Sequence, residues 1–224
     1  MTTISESNQS AQQLSAEILE KIFGESSQTF DMEAGTVLSN TDVRVIYLSS
    51  DIIHAIYDVL KYEAGEAWPL ILKNCGVIWG KRVNESLEKE LQATGSKKLG
   101  HLTVDSYIAL LEVYFANHGW GKMRINLGNA EKDGVISANL SNSIFANTLR
   151  HLDMPVDYMI AGMLQSIFAG ISGQDLRCIQ ISYAFSDTDA SDFIISGSER
   201  IEKLEQMKIH ELSPNEALER LRAA

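Results

Sequence analysis

Met154-Pro155-Val156-Asp157-Tyr158-Met159-Ile160-Ala161-Gly162-Met163-Leu164-Gln165-Ser166-Ile167-Phe168-Ala169-Gly170-Ile171 is the stretch on which the reading of the fold turns. Its large apolar side chains fall at Ile160, Met163, Leu164, Ile167, Phe168 and Ile171, a spacing of three and four that makes one stripe of a helix. The opposite face carries no charge, only Ala161, Gly162, Gln165, Ser166, Ala169 and Gly170. Glycines inside a helix cost stability unless a neighbouring backbone uses the space they leave. The helix is therefore expected to be buried on both sides, against a sheet on one and a second helix on the other. Pro155 suits its first turn, and Gly170 or Gly173 its end.

A strand follows over 176–185, with Ile179, Ile181, Tyr183 and Phe185 alternating onto one face. A polar turn at 186–191 leads to a second short strand at 192–195. Upstream, Met123, Ile125 and Leu127 alternate in a strand over 122–127, Asp133-Gly134 marks a turn, and 135–140 reads as the return strand. Asn142 or Ser143 opens a short helix through Leu149.

The half before this is helical. A helix over 51–62 is capped by Ser49 or Ser50 and has Ile52, Ile53, Ile56, Val59 and Leu60 apolar. The longest helix, about 66–91, carries Trp68, Leu72, Cys75, Trp79, Val83, Leu87 and Leu91 at steps of three or four. Gly76 and Gly80 lie four apart on it, a smooth strip for a second helix. Thr103 caps a third helix over 104–117, with Val104, Ile108, Leu111 and Phe115 inward. Short segments complete the pattern. These are a helix at 10–23, an acidic turn-rich connection at 24–41, a β-rich run at 43–48, a helix at 198–208, and a last helix opened by Ser213-Pro214-Asn215-Glu216. The order gives an α+β fold with helices packed on an antiparallel sheet of β-hairpins. Three parts are expected: an acidic extension over 1–40, a ligand-binding domain over 41–207, and a C-terminal helix over 208–224.

Composition narrows the function. The 224 residues have a formal net charge of −11, which opposes binding to nucleic acid or to anionic membrane surfaces. Residues 1–36 hold six acids and one base, so the extension reads either as a partner-docking arm or as a cap packed on the domain. No run is long and apolar enough to span a bilayer, the start has no signal-peptide pattern, and two cysteines, Cys75 and Cys178, suit a reduced cytoplasmic setting. Cys75 on an apolar stripe reads as core. No phosphate loop, G-x-S-x-G, H-E-x-x-H or C-x-x-C occurs, so no catalytic residue and no cofactor are assigned. His54, His101, His118, His151 and His210 are scattered and read singly as surface or satisfied side chains. The elements bordering the hairpins are rich in aromatic and sulfur side chains: Trp79, Tyr114, Phe115, Trp120, Tyr158, Met159, Met163, Phe168, Tyr183 and Phe193. They read as core, or in part as the lining of an apolar pocket. The pocket candidates are Trp79, Tyr114, Trp120, Tyr158, Met163, Tyr183 and Phe193.

Two stretches carry a resemblance. Gly76-Val77-Ile78-Trp79-Gly80-Lys81-Arg82-Val83, and Pro155 to Gly162 through Ser191-Asp192-Phe193, resemble the 4-vinyl-reductase domain family and, more remotely, the TRAPP tethering-complex subunits and aromatic-compound sensor domains. With Gly119-Trp120-Gly121 between them the resemblance spans roughly 40–207. It implies a compact, often homodimeric domain with an interior site for a small apolar ligand, tetrapyrrole or lipid-like, and a tie to chlorophyll biosynthesis or photosystem assembly. It also implies that the positions where some members hold a metal through cysteines and a glutamate are here Asp157, Gln180, Tyr183 and Ser191, a set without thiolates, so no metal is expected. The leading expectation is a non-enzymatic ligand-binding protein or assembly factor, with the extension as a possible docking arm for a protein partner. The alternatives are a ligand-free scaffold and a vinyl reductase, the latter needing a hydride or electron source for which no motif is present.

Overall fold

The computed structural model describes residues 19–20, 22–24, 28–39, 41–93, 99–183, 190–206 and 214–223. The strands are β1 (Gln28–Asp31), β2 (Thr36–Ser39), β3 (Arg44–Val45), β4 (Lys122–Asn126), β5 (Ile136–Ser141), β6 (Leu176–Ser182) and β7 (Ala190–Gly197). The helices are α1 (Ser50–Ala64), α2 (Trp68–Ala93), α3 (Val104–Asn117), α4 (Ala130–Asp133), α5 (Ile144–Thr148), α6 (Tyr158–Ser172), α7 (Ser198–Glu205) and α8 (Pro214–Ala223). No helix among the described residues is long and apolar enough to cross a membrane. Two compact units are distinguished, one of residues 1–48 with 85–118, the other of 49–84 with 119–224.

In the first unit, β1, β2 and β3 form an antiparallel sheet in that order. Within the stretch expected as an acidic connection at 24–41, residues 28–39 thus form a hairpin. The Asp31 carboxylate accepts from the amides of Glu33 and Ala34 at 3.0 and 2.8 Å, and Gly35 takes a positive φ of 63°. That is Asx-turn chemistry between strands too short and too exposed to show an alternating pattern. Of the β-rich run at 43–48, Arg44–Val45 is the part that is paired. Thr103 caps α3, accepting from the Ser106 amide at 3.2 Å. Tyr107, Leu110, Leu111, Tyr114 and Phe115 are buried on α3, but Val104, expected inward, is 61% exposed because it starts the first turn. Of the helix expected at 10–23, residues 10–18 and 21 lie outside the described residues, while Ile22 is buried and Phe23 packs edge-on against Tyr114.

The second unit holds the β-hairpins. They merge into one four-stranded antiparallel sheet of order β4-β5-β7-β6, with β5 pairing β7 from Ile136↔Ile195 to Ser141↔Ala190. Both faces are covered. Ile179, Ile181 and Ile194 meet Ile201 and Leu204 of α7 and Ala217 and Leu221 of α8 on one side. Cys178 and Gln180 alternate to the other side, towards α6, and both are buried. Residues 184–189, 207–213 and 224, including Phe185 and Ser213, lie outside the described residues.

Helix α6 meets α2 as its small-residue face requires. A methyl group on Gly162 would lie 1.9 Å from the Lys73 carbonyl oxygen, and one on Gly76 would lie 2.0 Å from that of Met159. The two helices cross backbone to backbone, and the Asn84 amide donates to the Ile167 carbonyl at 3.2 Å further along. Helix α6 starts at Tyr158, not 154, and Gly173 closes it in the left-handed conformation. Pro155 therefore precedes the helix. Two apolar stripes turn out differently from their reading. On α1 the inward side chains are Ile53 and Tyr57, leaving Ile52, Ile56 and Val59 at 45%, 45% and 59% exposure. On α2, Cys75 is exposed and is not core.

Candidate functional site

Asp157 sits at the N-cap position of α6 but makes no side-chain cap bond. Its carboxylate is turned inward and has no solvent exposure. Ser143 donates to Oδ1 at 2.5 Å and Ser191 donates to Oδ2 at 2.6 Å. The Asp157 amide donates to Gln180 Oε1 at 3.1 Å, and Gln180 Nε2 donates to Ser191 Oγ at 3.1 Å and to the Ser182 carbonyl. The ring is closed: every polar atom of Gln180 is used. The described partners of the carboxylate are hydroxyls and no cation. Burial pushes its pKa up, and the two hydroxyl donors pull it partly back. Three of the four positions that the resemblance links to a metal thus converge in space, from α6, β6 and β7. Their donors are hydroxyls, an amide and one carboxylate, each already bonded to its neighbours, so this set does not fit a thiolate-held zinc. Tyr183 stands apart and donates to the Asp153 carbonyl at 3.3 Å.

Beside this network runs a row of rings. Trp79 and Trp120 meet edge to face at 4.7 Å, Trp120 stacks on Phe145 at 5.9 Å, and Phe145 lies 5.9 Å from Tyr57. Tyr57 meets Trp68 at 5.7 Å, and Trp68 meets Tyr158 at 5.3 Å. Centroid spacings between about 4.5 and 7 Å are those at which aromatic pairs attract. The Tyr57 hydroxyl donates to the Val156 carbonyl at 2.9 Å, and burial, reinforced by the nearby Asp157, pushes its pKa well up. Among the described residues, Trp120 Nε1 is buried with no hydrogen-bond partner, and so is Gln165 Oε1. The Trp79–Trp120 end of the row is only half-buried.

At the Tyr158 end lies a half-open cleft of about 200 Å³, whose lining includes Leu70, Lys73, Tyr158, Cys178, Gln180 and Glu205. Lys73 and Glu205 pair across its rim at 3.2 Å. Burial pushes the Cys178 thiol up to about 12, which keeps it protonated and makes it a packing group rather than a nucleophile. Tyr158 is likewise raised to about 12 by burial.

Of the side chains singled out in the sequence, Trp79, Trp120 and Tyr158 fall on the row. Met163 and Phe193 are fully buried core, and Tyr114 belongs to the other unit, where it packs on Phe23, Phe115 and His118. Sequence reasoning missed Tyr57, Trp68 and Phe145 as members of the row, and Ser143 as the second donor to Asp157. Ser143 was legible as a helix cap, and it does accept from the Ala146 amide, but nothing local announced its second bond.

No family model matches the sequence, and no curated protein matches it. Solved structures do. The fold is similar to that of the phenol-responsive sensory domain of the transcription activator PoxR, crystallised with phenol, with a TM-score of 0.64 and 14% identity over 90% of this chain and 98% of that one. A vinyl-4-reductase family protein from Methanocaldococcus jannaschii matches at TM-score 0.43 and 14% identity, over 88% of this chain and 96% of that one. A trafficking protein particle complex subunit 3 from Naegleria fowleri, covalently bound to palmitic acid, matches at TM-score 0.48 and 12% identity, over 66% of this chain and 93% of that one. The chain therefore has an α+β fold like that of the sensory domain, and its structural neighbours include a vinyl-4-reductase family protein and a trafficking-complex subunit, as the sequence resemblance implied.

Proposed function

We propose that the second unit binds a small single-ring aromatic ligand carrying an oxygen acceptor, and that the chain acts as a non-enzymatic sensor or carrier. The observation that carries this is the Trp120 indole N–H, buried among aromatic rings with no partner among the described residues. A buried donor left unpaired costs about 1–3 kcal/mol, which a ligand oxygen would recover. The half-buried Trp79 covers Trp120 and is the side chain whose rotation would admit the ligand. A sensory domain of similar fold, described as phenol-responsive, supports the same ligand class. This reading puts the binding function in the domain expected at 41–207, with Trp79 and Trp120 as its ring contacts, and leaves Tyr158 at the far end of the row. Rings packed within 6 Å of one another suit a single ring better than a macrocycle, so the tetrapyrrole and photosystem readings rest on the sequence resemblance alone.

Isothermal titration with phenol and with toluene tests this. Phenol is expected to bind the parent protein more tightly than toluene. Trp120→Phe, which keeps a ring and removes the donor, should weaken phenol about two- to tenfold and leave toluene unchanged, since one hydrogen bond is worth about 0.5–1.5 kcal/mol. Equal loss for both ligands, or no heat from either, would remove the reading.

A second reading, a partner-binding scaffold or helix-mediated homodimer, is favoured by the exposed stripe of Ile52, Ile56 and Val59 on α1 and by Leu70 and Ile78, each 61% exposed, on α2. Light scattering should then give a dimer mass that Ile56→Glu reduces to a monomer. A monomer before substitution excludes the homodimer.

A further inference from the structure

Three side chains that look unrelated in the sequence are brought together on the surface of the second unit. His54 and Asp58 are four residues apart on α1 and so share a face. His54 Nδ1 lies 3.0 Å from Asp58 Oδ2. His151 comes from a one-turn 3-10 helix, Arg150–Leu152, 97 positions of chain beyond His54 by numbering, and its ring stacks on that of His54 with centroids 4.9 Å apart and planes 19° from parallel. One nitrogen or oxygen from each of the three lies within 4.8 Å of those of the others.

We propose that His54, Asp58 and His151 bind one divalent transition-metal ion, with Zn²⁺ as the best match. Two imidazoles and a carboxylate are a borderline-soft, nitrogen-rich donor set, which suits zinc and disfavours calcium and magnesium. Zinc bonds of about 2.0–2.1 Å to nitrogen and about 2.0–2.2 Å to oxygen place tetrahedral ligands roughly 3.3 Å apart. The His54–Asp58 pair is already at that spacing. The remaining contraction needs only side-chain rotation, and Asp58 and His151 are both exposed. Three protein ligands leave the fourth position to water.

The backbone beneath the site is held by other means. Tyr57, between the two α1 ligands, is 2% exposed and bonds to the Val156 carbonyl, tying α1 to the segment that carries His151. The ligand-bearing segments are thus fixed relative to each other before an ion arrives, so ordering costs are confined to three side chains. In return the ion would clamp α1 to the turn that leads into Asp157. Without an ion, an exposed His–Asp pair contributes about 0–1 kcal/mol, and ring stacking alone would orient the second imidazole; an ion would bind all three side chains at once.

The test uses the full chain stripped with EDTA and titrated with ZnCl₂ by calorimetry, with thermal unfolding at matched zinc concentrations. One equivalent is expected to bind and raise Tm, because an ion that binds only the folded state stabilises it by mass action. His151→Ala and Asp58→Asn should each weaken binding at least tenfold, with unchanged far-ultraviolet circular dichroism. Co²⁺ supplies an independent readout: visible d–d bands without a thiolate charge-transfer band are expected, and they should vanish in His54→Ala. No zinc binding, affinity retained in a His54→Ala/His151→Ala double variant, or a thiolate band from Cys75 would overturn the proposal.

Discussion

Gly162→Ala should lower stability by about 3 kcal/mol or more, although alanine at a helix interior normally gains up to about 1 kcal/mol over glycine. The reversal of sign comes from what the new methyl would meet. It would sit 1.9 Å from the Lys73 carbonyl oxygen and 2.9 Å from the Val77 amide nitrogen, both backbone atoms of α2. Backbone cannot rotate out of the way, so the two helices must separate, and separation forfeits the close packing along the whole crossing. Gly170 on the same helix is the control. Its added methyl would meet only the Asn84 side-chain amide, at 2.9 Å. That group can move, so Gly170→Ala should change stability by under about 1 kcal/mol. Thermal unfolding reads both: for a chain of this size about 3 kcal/mol corresponds to a Tm lower by roughly 6–12 °C. If Gly162→Ala unfolds at or above the parental temperature, the backbone-to-backbone crossing is wrong.

That crossing was among the most legible features of the sequence. Gly162 on an uncharged helical face and Gly76 with Gly80 on another helix predicted a close approach, because only small residues permit one. The hairpins were legible for a similar reason, since alternation over β4 and β6 survives wherever one sheet face is packed. What escaped was set by tertiary context. The β1–β2 hairpin has strands of four residues, none of whose side chains is buried, so its pattern carries no period. The α1 stripe misled because Tyr57, a polar-tipped ring, is buried beside Ile53 while Ile52, Ile56 and Val59 are not; apolar spacing shows which residues share a face, not which face is covered. At the candidate site, Trp79, Trp120 and Tyr158 were picked out by type and neighbourhood. Their joining through Phe145, Tyr57 and Trp68 depends on contacts far apart in the chain. The same holds for His54 and His151, which were read one at a time.

Asp157→Ala should cost about 2–4 kcal/mol, and the comparison with Asp157→Asn should show why. Removing the carboxylate leaves the Ser143 and Ser191 hydroxyls without their acceptor in a fully buried setting, at about 1–3 kcal/mol for each unsatisfied group, offset in part by relief of the buried charge. Asparagine keeps the shape and one acceptor, so it should cost less than alanine. The pH dependence separates the charge from the shape. Burial raises the folded-state pKa of Asp157 above its ordinary carboxylate value. The folded state therefore holds the proton more tightly than the unfolded state does. Its contribution is most favourable below about pH 3.9 and is lost as pH rises from there through the raised folded value. Denaturant midpoints for the parent and for Asp157→Asn, measured from pH 4 upward, should thus diverge. The parent should lose stability relative to the variant by at most about 1.4 kcal/mol per pH unit, until the folded-state pKa is passed and the difference levels off. A difference that stays flat across this range would mean that Asp157 ionises as readily in the fold as outside it. The ring of Ser143, Ser191 and Gln180 would then solvate the charge fully, in place of the thiolate set that the resemblance associates with these positions.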